Sequence, residues 1–103
     1  MQGTTITYRY ANGHSYNLTF TEAEVSYRDL SGSDPEQWLG PFRYHSTEIE
    51  NNVHLLAWHE PERGDYVTLL VNFNSGTIYS SAIVNNTETY FTEATLTGTE
   101  SIG

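Results

Sequence analysis

Cysteine and lysine are both absent from the 103 residues. Without cysteine there is no disulfide, no thiolate nucleophile and no thiolate-held zinc or iron–sulfur centre. Without lysine there is no Schiff-base chemistry, and an anion has only Arg9, Arg28, Arg43, Arg63, hydroxyls and backbone amides to meet it. Positive charge is scarce altogether. Four arginines against thirteen Asp and Glu leave a net charge of −9, a field that repels phosphate backbones and anionic membranes. Neither nucleic acid nor membrane is therefore an expected partner. No apolar run approaches the ~20 residues that span a bilayer, and the opening MQGTTITYRY has no signal-peptide core, so the cytoplasm is the expected location. Helical patterning is nearly missing too. Only Asp34-Pro35-Glu36-Gln37 offers a helix start, with room for about one turn.

What the chain does have is aromatic residues in alternating runs. Hydrophobic residues make up 37% and aromatics 14%, eight of them tyrosine, enough for one folded domain over residues 1–103 with a single core. Thr4 to Tyr10 places Ile6, Tyr8 and Tyr10 on one face, and Ser15 to Phe20 repeats the pattern with Tyr16, Leu18 and Phe20. Between them, Asn12-Gly13 suits a type I′ hairpin turn, whose two central residues need positive φ. Further strands are predicted over 24–29, 43–50, 53–60, 66–73, 77–84 and about 89–97, separated by turn-forming Gly, Pro, Asn and Ser. About eight short strands with hairpin-length links predict an antiparallel β-barrel, with a sandwich as the rival. A barrel of that size is either filled by its own side chains or holds one small ligand.

Alternation across Val53 to Glu60 divides His54, Leu56, Trp58 and Glu60 from Val53, Leu55, Ala57 and His59. The first set mixes apolar with ionisable groups, as a pocket wall does. His54 and His59 fall on opposite faces and cannot share a metal. With no HExxH pattern, neither a metal site nor a cofactor is expected. Glu60 has two readings. It is a solvated charge closing a strand before Pro61, the commoner fate of glutamate, or an acid held beside the Trp58 indole. An apolar wall disfavours the ionised form of a carboxyl, which is the tuning a proton-transfer group needs. Tyr8 and Tyr10 likewise either present two phenols to a ligand carboxylate or pack as core aromatics.

Three blocks, YRYANGHSYNLTF (8–20), VSYRDLSG (25–32) and AWHEPERGDYVTLLVNFNSGTIYSSAI (57–83), occur in that order. They resemble the small lipocalin-like, calycin-type barrels grouped around the MoaF-like domain and the bacterial phenolic acid decarboxylases, with W-x-E-P the most telling piece. The resemblance implies a cofactor-free and generally dimeric enzyme that converts 4-hydroxycinnamic acids to 4-vinylphenols inside the barrel. There the side-chain double bond is protonated to a quinone methide and carbon dioxide leaves. Tyr8 and Tyr10 match the family's Y-x-Y pair that contacts substrate, and Glu60 matches its acid. Tyr27, Gln37, Trp38, Leu56 and Trp58 are expected to line the substrate. The chain departs from the decarboxylases where an arginine precedes tryptophan, since Gln37 stands before Trp38, and it stops where they carry a C-terminal extension. The overall length and the missing tail resemble the stand-alone MoaF-like domains. The expected function is proton transfer on an aromatic or conjugated small carboxylic acid, of lyase or isomerase type, with Glu60 as acid or base and Tyr8 and Tyr10 orienting the substrate. The alternative is a non-catalytic barrel that binds a small organic molecule, linked to molybdenum-cofactor or pterin metabolism. A third possibility is an interior filled by Tyr8, Tyr10, Phe20 and Trp58.

Overall fold

The alternating runs become eight antiparallel strands, which the computed structural model describes over residues 1–101. They are β1 (Thr4–Tyr10), β2 (Ser15–Phe20), β3 (Glu24–Asp29), β4 (Leu39–Glu50), β5 (Val53–Glu60), β6 (Asp65–Asn72), β7 (Thr77–Val84) and β8 (Glu88–Ser101). Each strand pairs with the next, and β8 returns to β1 from Thr4↔Ser101 to Tyr10↔Ala94, so the sheet is a closed barrel. That closure rules out the sandwich. Among the described residues no helix is long and apolar enough to cross a membrane. The segment at Asp34 makes only a turn, in which the Gln37 amide donates to the Asp34 carbonyl at 3.2 Å.

Period-two patterning puts Ile6 and Tyr8, Leu18 and Phe20, Val25, Leu56 and Trp58, Leu69 and Val71, Ile78 and Ala94 inside, where they form one buried core. Register fixes what lies at each end. The pairs Tyr8↔Tyr16, Leu18↔Tyr27, Tyr27↔Leu39 and Glu60↔Asp65 bring the ends of β1, β5 and β7 and the starts of β2, β4 and β6 to one rim, called the upper rim below.

Three local features differ from expectation. The first hairpin closes through a three-residue loop in which only Gly13 takes positive φ (95°), while the Asn12 Oδ1 accepts the His14 amide at 3.0 Å. The doubly left-handed turn occurs instead at Asn85 (φ 55°) and Asn86 (φ 61°) between β7 and β8, where two asparagines tolerate that region. β4 starts at Leu39 rather than Arg43, running through Gly40 and Pro41, and β8 continues to Ser101.

The loop joining β5 to β6 is tied to the β7–β8 turn. Gly64 O accepts the Asn86 amide at 2.8 Å, and Asp65 Oδ1 accepts the Asn85 amide at 2.9 Å. Gly64 has φ 67°, and a Cβ there would collide with the Asn86 side-chain amide. Gly64→Ala is therefore expected to cost about 1–3 kcal/mol in chemical denaturation. A loss below about 0.5 kcal/mol would show that the two loops accommodate each other freely.

Candidate functional site

Glu60 is the last residue of β5 and lies two positions beyond Trp58, so strand parity points both side chains inward. The carboxyl is 1% exposed. Burial of that depth requires partners, and both oxygens have one. Trp58 Nε1–H donates to Oε2 at 2.8 Å, and the Tyr27 hydroxyl donates to Oε1 at 2.8 Å. The Arg63 Nε lies 3.6 Å from Oε1 and 3.3 Å from Asp65 Oδ2, which sets a half-exposed guanidinium as a lid between two carboxylates. An indole N–H can only donate, so Oε2 is fixed as an acceptor.

From this acid a run of rings crosses the upper half of the barrel. Tyr27 packs 6.3 Å from Trp58, 6.0 Å from Phe42 and 6.4 Å from Tyr16. Tyr16 in turn lies 5.9 Å from Tyr8 and 6.0 Å from Tyr10, and Tyr8 and Tyr10 meet edge to face at 5.7 Å. Tyr8, Tyr10, Tyr27, Trp58 and Glu60 thus share one end of one interior. Their connection differs from the expected one, because Tyr27 touches Glu60 whereas Tyr8 and Tyr10 reach it only through Tyr16 and Tyr27.

Two expected lining residues lie elsewhere. Gln37 is exposed in the turn after Asp34. Trp38 sits on the outer wall, with the Arg28 guanidinium 4.7 Å from its ring centroid, beside a groove of about 410 Å³ bordered by Thr5, Asn17 and Thr19. Arg28 is held there by its Nε–H, which donates to Asn17 Oδ1 at 3.1 Å. Leu56 is fully buried and belongs to the core beneath Trp58.

Sequence reasoning passed over Tyr16 and Arg63. Tyr16 was within reach, since it carries the same inward parity as Tyr8 in the neighbouring strand, and the three-residue loop sets the two opposite each other. Arg63 could have been flagged as the one cation within a turn of the W-x-E-P acid.

A cavity of about 870 Å³ borders this cluster, within the size range of small-molecule sites. It is bounded by Phe42 and Arg43 of β4, by Trp58, His59 and Glu60 of β5, and by Arg63. Among the described residues no group of three or more His, Cys, Asp and Glu is placed to hold a metal. The site presents a fixed acceptor, a phenol that donates to it, a flanking guanidinium and an aromatic wall.

Burial keeps the phenols neutral. It raises the Tyr8 hydroxyl well above its ordinary value, helped by the Tyr10 and Tyr16 phenols, and it raises Tyr27, helped by the hydrogen bond to Glu60. Tyr16 is raised as well, by burial first and then by Asp29. These groups lose protons more readily when unfolded, so above about pH 10 the native state binds more protons than the unfolded one. The contribution of these phenols to stability is therefore constant below that point and falls as pH rises beyond it. Denaturation midpoints followed from about pH 8 to about pH 12 check this, and a flat profile would contradict it.

The model of the MoaF-like family matches residues 2–97. Among curated proteins none matches the sequence. Among solved structures, a crystal structure from Burkholderia vietnamiensis, provisionally described as a beta-lactamase, superposes with a TM-score of 0.80. The match covers 98% of this chain and 94% of that one at 18% identity, a likeness that carries the barrel alone.

Proposed function

As the chain belongs to the MoaF-like family, we propose that it is a cofactor-free barrel enzyme acting on a small aromatic or conjugated carboxylic acid by proton transfer. The reaction is of isomerase or decarboxylase-like lyase type. The reading is carried by one observation: the Glu60 carboxyl is 1% exposed, bonded through both oxygens, and borders a cavity of about 870 Å³.

Glu60 is the proton-exchanging group, Tyr27 and Trp58 hold its plane, and Arg63 offsets negative charge at the mouth. Tyr8 and Tyr10 stand behind this site, outside the cavity's lining, and support Tyr27 through Tyr16. In an isomerisation, a ligand C–H bond breaks as an O–H bond forms on Glu60. The electron pair enters the conjugated acid, the Glu60 proton exchanges with water, and Glu60 then delivers a solvent-derived proton to the remote carbon. In a decarboxylation, the alkene carbon gains a proton, the bond to the carboxylate breaks and carbon dioxide leaves, with one proton drawn from water overall. Positioned acid–base groups supply typically ~100-fold to 10,000-fold, and exclusion of water strengthens the electrostatics around them. Incubation with 4-hydroxycinnamic acids and other conjugated acids, followed by mass spectrometry, tests this. The expected result is an isomer or a product lighter by carbon dioxide, and recovery of every acid unchanged would count against it.

A second reading, a non-catalytic barrel for a small organic molecule such as a pterin, is favoured by the same saturation of Glu60, since a carboxylate held by two donors also serves as a fixed acceptor for ligand N–H groups. It is recognised by thermal stabilisation without conversion, about 2.7 kcal/mol at a ligand concentration 100 times Kd.

A further inference from the structure

The ladder between β4 and β5 runs from Glu50↔Val53 to Tyr44↔Trp58 and then stops, although β5 continues to Glu60 and β4 begins five residues before Tyr44, at Leu39. The free part of β4 follows β3 instead, through Val25↔Phe42 and Tyr27↔Leu39, with an irregularity between those pairs. Gly40 (φ 109°) and Pro41 occupy that irregularity, and a proline has no N–H to extend a ladder. The barrel wall is therefore unzipped between β4 and β5 beside Glu60. The cavity follows this unpaired edge, so inward residues (Trp58, Glu60) and outward ones (Ala57, His59) both border it.

The charge around the gap is unlike that of the rest of the molecule. Two of the four arginines, Arg43 and Arg63, and two of the four histidines, His45 and His59, border the cavity, against the acids Glu60 and Glu62. Arg63 is engaged by Asp65 and Glu60, whereas Arg43 is exposed and makes no ion pair among the described residues. In a chain of net charge −9, a cation would find carboxylates over most of the surface, while an anion would be repelled except where positive groups gather.

We infer that the unzipped seam between β4 and β5 is a lateral portal to the Glu60 cavity, and that Arg43 makes it selective for small anions, carboxylates foremost. The inference rests on the reading of that cavity as the ligand site and adds its entrance and its charge filter. Arg43 is a specificity-determining residue, not a catalytic one.

Fluorescence quenching of Trp58 tests the portal without knowledge of the natural ligand. In a Trp38→Phe background Trp58 is the one remaining indole. Iodide, an anion, and acrylamide, a neutral quencher, are compared at constant ionic strength. Arg43→Gln is expected to lower the iodide quenching constant at least ~2-fold and to leave the acrylamide constant unchanged, because only charge focusing at the cleft is removed. Arg9→Gln makes the same change in net charge on β1, across the ring from β4 and β5, and is expected to change neither. An iodide constant insensitive to Arg43→Gln, or equally sensitive to Arg9→Gln, would overturn the inference. The outcome is independent of turnover. An Arg43 effect without any conversion of conjugated acids leaves the portal standing and the enzymatic reading refuted, and Glu60-dependent conversion without an Arg43 effect does the reverse.

Discussion

Glu60→Gln is expected to lower turnover by ~100-fold to 10,000-fold while the protein stays folded and still binds its ligand. Glutamine has the same shape, and its carbonyl oxygen can accept from Trp58 Nε1–H, which has no other mode of bonding. The amide nitrogen then faces the Tyr27 hydroxyl, whose proton can rotate away so that the oxygen accepts. The Trp58 N–H and the Tyr27 oxygen each keep a partner and Arg63 keeps Asp65, so the fold is retained. The amide cannot take or return a proton, so what the variant loses is proton exchange itself. A Glu60→Gln protein with full turnover would remove Glu60 from the mechanism. Unchanged turnover with weakened binding would recast the carboxyl as a recognition group.

The second large effect is on stability. Leu56→Ala is expected to cost about 2–5 kcal/mol, a substantial part of the ~5–15 kcal/mol that holds a typical domain together. Leu56 is 0% exposed, faces Leu69 across the β5–β6 ladder and Ser46 across β4–β5, and supports the strand one step below Trp58. Removing three carbons from a closed barrel leaves a void that neighbouring strands cannot fill, because each is pinned on both sides. The family resemblance implied a ligand contact here, yet Leu56 does not border the Glu60 cavity. Urea midpoints separate the two roles. A core residue gives the stated loss, and a ligand contact gives a loss under about 1 kcal/mol with altered affinity.

The sequence revealed strands better than it revealed contacts. Val53 to Glu60 showed its inward face plainly, because alternation is local and Trp58 and Glu60 share a parity. The partner of that acid was not legible, since Tyr27 lies 33 residues away and reaches Glu60 only after β3, β4 and β5 have taken their register. Gly40 and Pro41 read as breakers and set the expected start of β4 at Arg43; the fold keeps them inside the strand because they sit where its ladder to β5 is absent. The end of β8 was missed for a different reason: Thr97-Gly98-Thr99-Glu100 has no hydrophobic alternation, and its strand character comes from pairing with β1 as the ring closes. Trp38 follows a Gly- and Ser-rich turn that erases parity, so no pattern could tell that it lies outside the wall on Arg28.

The most direct test of the account follows a bound conjugated acid, beginning with 4-hydroxycinnamate, by proton NMR in deuterated water with wild-type protein and with Glu60→Gln. Proton exchange at the Glu60 carboxyl predicts that deuterium appears at one carbon of the ligand or of its product with the wild type, and at none with the variant. A ligand seated in the cavity of the wild-type protein that stays unlabelled and unconverted, or one labelled equally by both proteins, would contradict it.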